Sequence, residues 1–554
     1  MRSLYVPSGT PQSESSKLTL LLMLCVAWLL PGLVGHAPWK PDEAVSMGIV
    51  QHILDSGEWR VPMLGGEPYL AHGPLYYWTA AVFAKLFSWA LSTHDAARLA
   101  SGFYLVLTLA AIGFAARELF GDTMPRLAIA LLIGCVGLLA HAHEMITDTA
   151  LLAGYALALA GFSTVERNQK VAGLLLGVGA GVVFLARGLI PLTVVVCVGL
   201  LLTASPVWRT RRYARAAGIA LLASLPFLVI WPMLLYAQSP AWFRLWWHGE
   251  NTRRVARFAS TYAKNEFAYF FRALPWFAWP VLPISLWTVW GYRRKLLSEA
   301  RFQIPLLFFL MMLLLVGLNA AMRDIHALPM LLPLTLLAVP GAENLRRGAA
   351  NALGWFGIMF FGAAALFMWF AWQATLSGVP DHFSRHILKL QPGFTPGFAW
   401  LPFLAAVLLS LLWLLPLRQS FRSGRRAVFH WAAGITLVWG LAATLWLPWI
   451  DAGKRYTSVI AKLQRQLPND ARCIASRNLG EAQRGLLYYH AGVVTQRFEA
   501  DAAAASACDW LLTQVNPRHN NAHAERGWRK VWQGSRPGDK SEAFVLYRRE
   551  GRAR

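Results

Sequence analysis

Two carboxylates stand side by side just after the first long apolar run of this chain, in Trp39-Lys40-Pro41-Asp42-Glu43-Ala44. Charge at the mouth of a hydrophobic span is costly unless it has a partner or a task. A second acidic cluster follows in His141-Ala142-His143-Glu144-Met145-Ile146-Thr147-Asp148. Asp148 opens another apolar run, and Glu144 and Asp148, four residues apart, share a face if this turn is helical. Such carboxylates suit general-base chemistry, taking a proton from a hydroxyl. The sequence demands no cofactor. His141 and His143 beside carboxylates could bind a divalent metal, although their spacing is not a recognised ligand set. Capping or pairing is an equal alternative for Glu144.

Cations accompany these acids. Arg187 closes an apolar run in Phe184-Leu185-Ala186-Arg187-Gly188; it is either a snorkelling side chain or an anion ligand. The segment Trp246-Trp247-His248-Gly249-Glu250-Asn251-Thr252-Arg253-Arg254 mixes aromatics with cations. That mixture suits a phosphate headgroup or a sugar, and equally an interfacial amphipathic helix. Arg323 opens Arg323-Asp324-Ile325-His326-Ala327-Leu328-Pro329, where it can pair with Asp324 or take a phosphate.

The elements that must position these groups are membrane spans. Of 554 residues, 56% are hydrophobic and 14% charged, against roughly 25% charge in soluble domains. The formal charge of +24 does not point to nucleic acid, because Arg and Lys cluster in short connections where they encode topology. About thirteen runs are long enough to cross a bilayer: 18–35, 96–116, 126–141, 147–164, 171–187, 188–204, 216–237, 275–291, 302–321, 325–344, 351–374, 398–416 and 429–449. The first reads as a retained helix and not a signal peptide. Alternate connections are basic and therefore cytoplasmic. Asp42, Asp148, the 238–274 and 376–397 loops and the tail from 451 then share the opposite side. Gly177, Gly179 and Gly181 read as helix-packing glycines.

Residues 36–95 are too long for a simple connection. Glu43–Ser56 reads as an amphipathic surface helix with Val45, Ile49, Ile53 and Leu54 on one face, Asp42 capping its start and Gly57 ending it. A turn-rich segment at 62–68 and the run Ala71-His72-Gly73-Pro74-Leu75-Tyr76-Tyr77-Trp78 follow, the latter opening a second surface helix. The tail 451–554 alternates short strands with a helix, a small α/β domain. Its Cys473 and Cys508, on predicted strands outside the cytoplasm, either form a disulfide or stay buried and reduced.

Pro41-Asp42-Glu43, the His72-to-Trp78 segment, Asp148, the Asn251…Arg254 loop and Arg323…Pro329, in that order, resemble the bacterial glycosyltransferase 39 group. That group includes aminoarabinose-to-lipid A transferases and is related to protein O-mannosyltransferases. The resemblance implies a mainly α, polytopic GT-C fold: a transmembrane catalytic domain over 1–450 and a periplasmic α/β domain over 451–554. It implies an inverting transfer from a polyprenyl-phosphate sugar donor to lipid A, protein or another envelope glycan. The setting implied is the bacterial inner membrane, with membrane lipids but no nucleic acid as partners, and a monomer is expected. Asp42 is then the catalytic base, with Asp148 orienting the acceptor or sharing that role, and Glu43 either a second acid or a charge in the first turn of the surface helix. His72, Arg187, Arg254 and Arg323 are the donor-phosphate ligands, and Tyr76, Glu144 and Asn251 the acceptor or sugar contacts. One departure stands out. Ala71-His72-Gly73-Pro74-Leu75 replaces a Glu-Lys-Pro-Pro-Leu pattern of the aminoarabinose transferases, and a neutral imidazole is a weaker phosphate ligand than Lys at pH 7. The rival class, a polytopic lipid transporter or flippase, should show inverted repeats and broken or ionisable helices at the midplane. Here the polar residues gather at one face instead. A catalytically silent scaffold would not need paired carboxylates.

Overall fold

The computed structural model describes residues 14–252, 267–317, 323–414, 423–468, 473–518 and 527–550. Helices dominate. The first eight are α1 (Glu14–Leu29), α2 (Asp42–Ser56), α3 (Leu75–Phe87), α4 (Thr93–Phe120), α5 (Pro125–Ile133), α6 (Val136–His141), α7 (Thr147–Thr164) and α8 (Gln169–Arg187). Among the described residues six helical stretches are long and apolar enough to cross a membrane: α4, α8, Arg211–Gln238, Asp324–Glu343, Arg347–Ser377 and Gly424–Thr444. Shorter apolar helices accompany them, at Lys17–Leu29, Leu189–Leu202, Val281–Gly291, Ala300–Leu315 and Trp400–Leu414.

Several expected spans are interrupted. The run 126–141 breaks after Ile133 into α5 and α6, and 275–291 breaks between Phe277 and Val281, where Pro280 cannot donate to the helical ladder. The tenth run begins as a tight 3-10 turn, Asp324–Met330. The thirteen runs therefore do not translate into thirteen straight crossings. Helices Arg211–Gln238 and Arg347–Ser377 expose Leu221, Leu222, Ile230, Met233, Met359, Phe360, Leu366 and Phe367. Apolar faces of that extent are stable when lipid covers them. The interior instead relies on small residues. A Cβ on Gly179 of α8 would lie 2.7 Å from the Ala158 nitrogen of α7, and one on Gly177 would lie 2.4 Å from the Ala220 oxygen, so these glycines let the backbones touch.

α2 departs from the expectation of a surface helix. Gly57 ends it at φ 70° as read from sequence, but every residue from Glu43 to Val50 is buried. Its start is Pro41, with no side-chain cap, so Asp42 is not spent on capping. The reason for the burial is tertiary. α2 packs on α3 on one side and, on the other, on the helix Glu481–Ala491 of the tail. The two-stranded hairpin β1 (Met63–Leu64) and β2 (Glu67–Pro68) adds a third wall. At the crossing with the tail helix, a Cβ on Gly48 would meet the Gly485 Cα at 2.5 Å, and one on Gly485 would meet the Ala44 oxygen at 2.3 Å.

The tail itself forms a five-stranded mixed sheet of β3 (Ile474–Arg477), β4 (Gln496–Arg497), β5 (Trp510–Val515), β6 (Trp528–Gly534) and β7 (Ala543–Arg549), in the order β4-β3-β5-β7-β6. β3 runs parallel to β4 and β5; β7 runs antiparallel to β5 and β6. A disulfide joins Cys473 to Cys508. Gly485→Leu should force the tail off α2, since overpacking of a close crossing costs at least about 1–3 kcal/mol. The expected outcome is a lower melting temperature in detergent and faster proteolysis between residues 451 and 480, read by gel.

Candidate active site

The site begins with Glu43. Its side chain is 2% exposed. One carboxylate oxygen accepts from Arg98 Nε at 2.8 Å and from the Met145 backbone N–H at 2.9 Å; the other accepts from the Trp39 N–H at 2.9 Å. His36 Nδ1 lies 3.8 Å away. Burial works against the charged form. The Arg98 guanidinium, His36 and the donated hydrogen bonds outweigh it and hold the Glu43 carboxyl below the ordinary range.

Arg98 is fully buried in the first turns of α4. Besides Glu43 it donates to Asp95 at 2.8 Å and to the carbonyls of Leu33 and His36 at 3.3 and 3.2 Å. Asp95 in turn accepts from Gly35 and closes a capping pair with Ser92. One buried ion pair thus ties the loop before α2, the start of α4 and the 142–146 stretch into one unit.

That unit sets Asp42 and Asp148 on one recess, lined also by Val45, Ser46, Tyr69, His72, Tyr77, Ile146 and Thr147. Each carboxylate carries an arginine. Arg323 Nη1 donates to Asp42 at 3.0 Å while its Nη2 pairs with the other oxygen, a bidentate fork. This pair is half open, with Asp42 28% and Arg323 45% exposed. Asp148, 3% exposed, pairs with Arg187 Nη2.

His72 completes the arrangement. Arg187 Nη1 donates to His72 Nε2 at 3.0 Å, and Tyr77 Oη lies 3.4 Å from His72 Nδ1. A guanidinium only donates, so Nε2 is the acceptor and His72 is neutral, with its proton on Nδ1. The segment reaches this place because Gly73 lies flat on the end of α8. Its N–H donates to Ala186 O at 3.1 Å, and a Cβ there would sit 2.0 Å from Leu185 O.

Other residues singled out in the sequence stand apart from the recess. Tyr76 is wholly buried; its hydroxyl meets Ser101 Oγ at 2.7 Å, and Ser101 donates to the Glu144 carbonyl at 2.7 Å. Residues 142–146 are not helical, so Glu144 does not share a helical face with Asp148; it pairs with His141 Nδ1 at 2.9 Å. His143 faces the carbonyls of Leu139 and Trp28. Among the described residues no three His, Cys, Asp or Glu side chains gather as a cation site needs. Arg254 and the side chain of Asn251 lie outside the described residues.

Two residues escaped the sequence reading. Arg98 is one; like Arg187 it is an arginine at the non-cytoplasmic end of an apolar run, where the charge rule does not place cations. His326 is the other. It lies within electrostatic reach of Arg187, Asp148, Arg323 and Asp42, and its Nδ1 is buried without a hydrogen-bond partner among the described residues.

Residues 71–236 match the family model described as dolichyl-phosphate-mannose-protein mannosyltransferase. Over 363 residues the chain is 28% identical to an undecaprenyl phosphate-alpha-4-amino-4-deoxy-L-arabinose arabinosyl transferase of Pseudomonas fluorescens, covering 61% of this chain and 62% of that protein. A Pseudomonas aeruginosa protein of the same description is 28% identical over 365 residues, 63% of each chain. The matches thus span somewhat less than two thirds of these relatives. Crystal structures of ArnT from Cupriavidus metallidurans superpose with TM-scores of 0.69 for the apo state and 0.67 for the state bound to undecaprenyl phosphate. They cover 97% and 96% of this chain and 98% of ArnT, at 15% and 16% identity. The fold is that of a multi-pass membrane protein like ArnT, and the resemblance to the glycosyltransferase 39 group is borne out.

Arg98→Ala would leave Glu43 charged, buried and unpaired, which costs about 3–5 kcal/mol; unfolding in detergent at pH 7 should register that loss. The folded pKa of Glu43 is depressed, so its contribution is complete above the ordinary carboxylate value of about 4.3. It fades as pH falls through the lower folded value. The stability difference between the native chain and Glu43→Gln should be flat above about pH 5 and shrink in more acidic buffer.

Proposed function

We propose that this chain is an inverting membrane glycosyltransferase that moves a sugar from a polyprenyl-phosphate donor to an acceptor on the periplasmic side of the bacterial inner membrane. The observation that carries the reading is the recess itself: two carboxylates, Asp42 and Asp148, face one space, each held by its own arginine. The donor's leaving group is a phosphate, the acceptor's nucleophile a hydroxyl or phosphate oxygen. The first needs cations and the second, if a hydroxyl, needs a base.

Asp42 takes the acceptor proton. The Arg323 fork fixes the carboxylate plane, yet each oxygen keeps a further lone pair for the incoming hydroxyl. The acceptor oxygen forms a bond to the anomeric carbon from the face opposite the phosphate. The bond from that carbon to the phosphate oxygen breaks, and the polyprenyl phosphate leaves with the electron pair. Arg187 and Arg323 stabilise that charge, with Arg254 as a further phosphate ligand. Asp148 holds Arg187 and orients the acceptor. His72, being neutral, acts through Arg187 and not as a cation of its own. Glu43 holds the frame, and Tyr76 and Glu144 support the wall behind it.

The names of the relatives make undecaprenyl phosphate-α-4-amino-4-deoxy-L-arabinose the first donor to try, with lipid A as acceptor. The membrane unit is assigned to residues 1–450 and the periplasmic unit to 451–554, in a monomer. Purified protein with that donor and lipid A, followed by mass spectrometry, tests the reading. Asp42→Asn should lower the transfer rate about 10²–10⁴-fold and leave binding of undecaprenyl phosphate within about threefold. Transfer by Asp42→Asn at the native rate removes Asp42 as the base.

A further inference from the structure

The stretch that carries Asp42 is held from the tail. Ala37 N–H and Trp39 Nε1 both donate to one oxygen of Asp451, each at 3.0 Å. Lys454 Nζ lies 4.2 Å above the Trp39 ring, within cation–π range. Trp39 stacks in turn on His36, with ring centroids 4.0 Å apart. Lys40 pairs with Glu542, which comes from the far end of the chain, just before β7. Glu542 is itself buried and held, accepting from Tyr456 Oη at 2.7 Å and Gln483 Nε2 at 2.8 Å. Lys40 also lies over the Tyr456 ring at 5.1 Å.

These contacts fall on residues 37, 39 and 40, directly ahead of Asp42. They come from two separate pieces of the tail, residues 451–456 and Glu542, with Gln483 holding Glu542 from behind. Further along α2, Asp55 accepts from Tyr488, and on the hairpin Glu67 accepts from Arg484 and Arg497. A sheet packed on for stability alone needs only an apolar interface. Here the tail also spends buried, fully partnered polar groups on the few residues that fix where Asp42 starts its helix.

We propose that the C-terminal unit is a positioning element of the active site, with Glu542 and Asp451 setting the placement of Asp42 through Lys40 and Trp39. The inference rests on the reading of Asp42 as the base. Glu542 does not touch substrate. Its ion pair with Lys40 fixes the backbone at the Pro41–Asp42 junction, and hence the distance and angle at which the carboxylate meets the acceptor hydroxyl. A shift of about 1 Å at a reacting group can cost about a hundredfold in rate.

The test uses the full-length protein in detergent, with undecaprenyl phosphate-α-4-amino-4-deoxy-L-arabinose and lipid A. Glu542→Gln keeps the shape, and its amide can still accept from Gln483 and donate to Tyr456 Oη, while removing the charge that holds Lys40. The expected result is a kcat lowered about tenfold or more, a KM for the donor within about twofold, and an unchanged melting temperature. Glu542→Asp should restore part of the rate. Lys40→Met should match Glu542→Gln, and the double variant should be no worse than either alone, because the pair acts as a unit. A loss of rate that follows only a loss of melting temperature across these variants overturns the proposal, leaving the tail a stabilising unit. Native kcat in both Glu542→Gln and Lys40→Met, with Asp42→Asn inactive, overturns it while sparing the reading of Asp42. Native activity in Asp42→Asn overturns that reading and this inference with it.

Discussion

A buried carboxylate can stay charged only where its partners outweigh the water it has lost, and Glu43 is the point where this chain meets that condition. Arg98 supplies the charge; backbone N–H groups of Trp39 and Met145 supply the remaining donors. Because those partners come from three different segments, satisfying Glu43 fixes all three at once. Asp42 is its neighbour on one segment, and Asp148 is three residues beyond Met145 on another. The relative placement of the two recess carboxylates is therefore a by-product of satisfying the one that is not in the recess.

The same logic explains why each recess carboxylate is paired. Asp148 is nearly as buried as Glu43 and needs Arg187 beside it; Asp42, more open, is gripped by both nitrogens of Arg323. Arginine suits both tasks because its charge is permanent and its donors are splayed for planar oxyanions. His72 extends the network by accepting from Arg187, which only a neutral imidazole does. A lysine at that position would set two cations against each other unless an anion lay between them.

Much of the recess was legible in the sequence, because charge in an apolar chain is conspicuous. Asp42, Asp148, Arg187 and Arg323 each stand at the end of a hydrophobic run, and all four meet at one recess. The strands of the tail were legible from their apolar runs and turn signals, whereas the sequence left open whether Cys473 and Cys508 pair, and the structure joins them. What periodicity missed was long-range. Nothing local distinguishes Glu43, a buried holding group, from Asp42 next to it. Nothing in the spacing of Val45, Ile49 and Ile53 says that α2 is covered on its second side by a helix more than 400 residues later in the chain. Whether residues 142–146 are helical was left open by the sequence; they are not, and the Met145 N–H goes to Glu43 instead of to a helical carbonyl.

By itself the sequence determined the class of molecule: a polytopic membrane chain, its polar groups gathered at one face, its tail a small α/β unit. Hydropathy and charge asymmetry are local and additive, so they survive being read one run at a time. Only the tertiary structure decided which of two adjacent acids faces the recess, which arginine holds each carboxylate, and that the tail reaches back to grip Trp39 and Lys40. Those outcomes depend on desolvation and pairing between segments distant in sequence. The energy of a buried charge is set by what surrounds it, and no residue carries its surroundings in its own position.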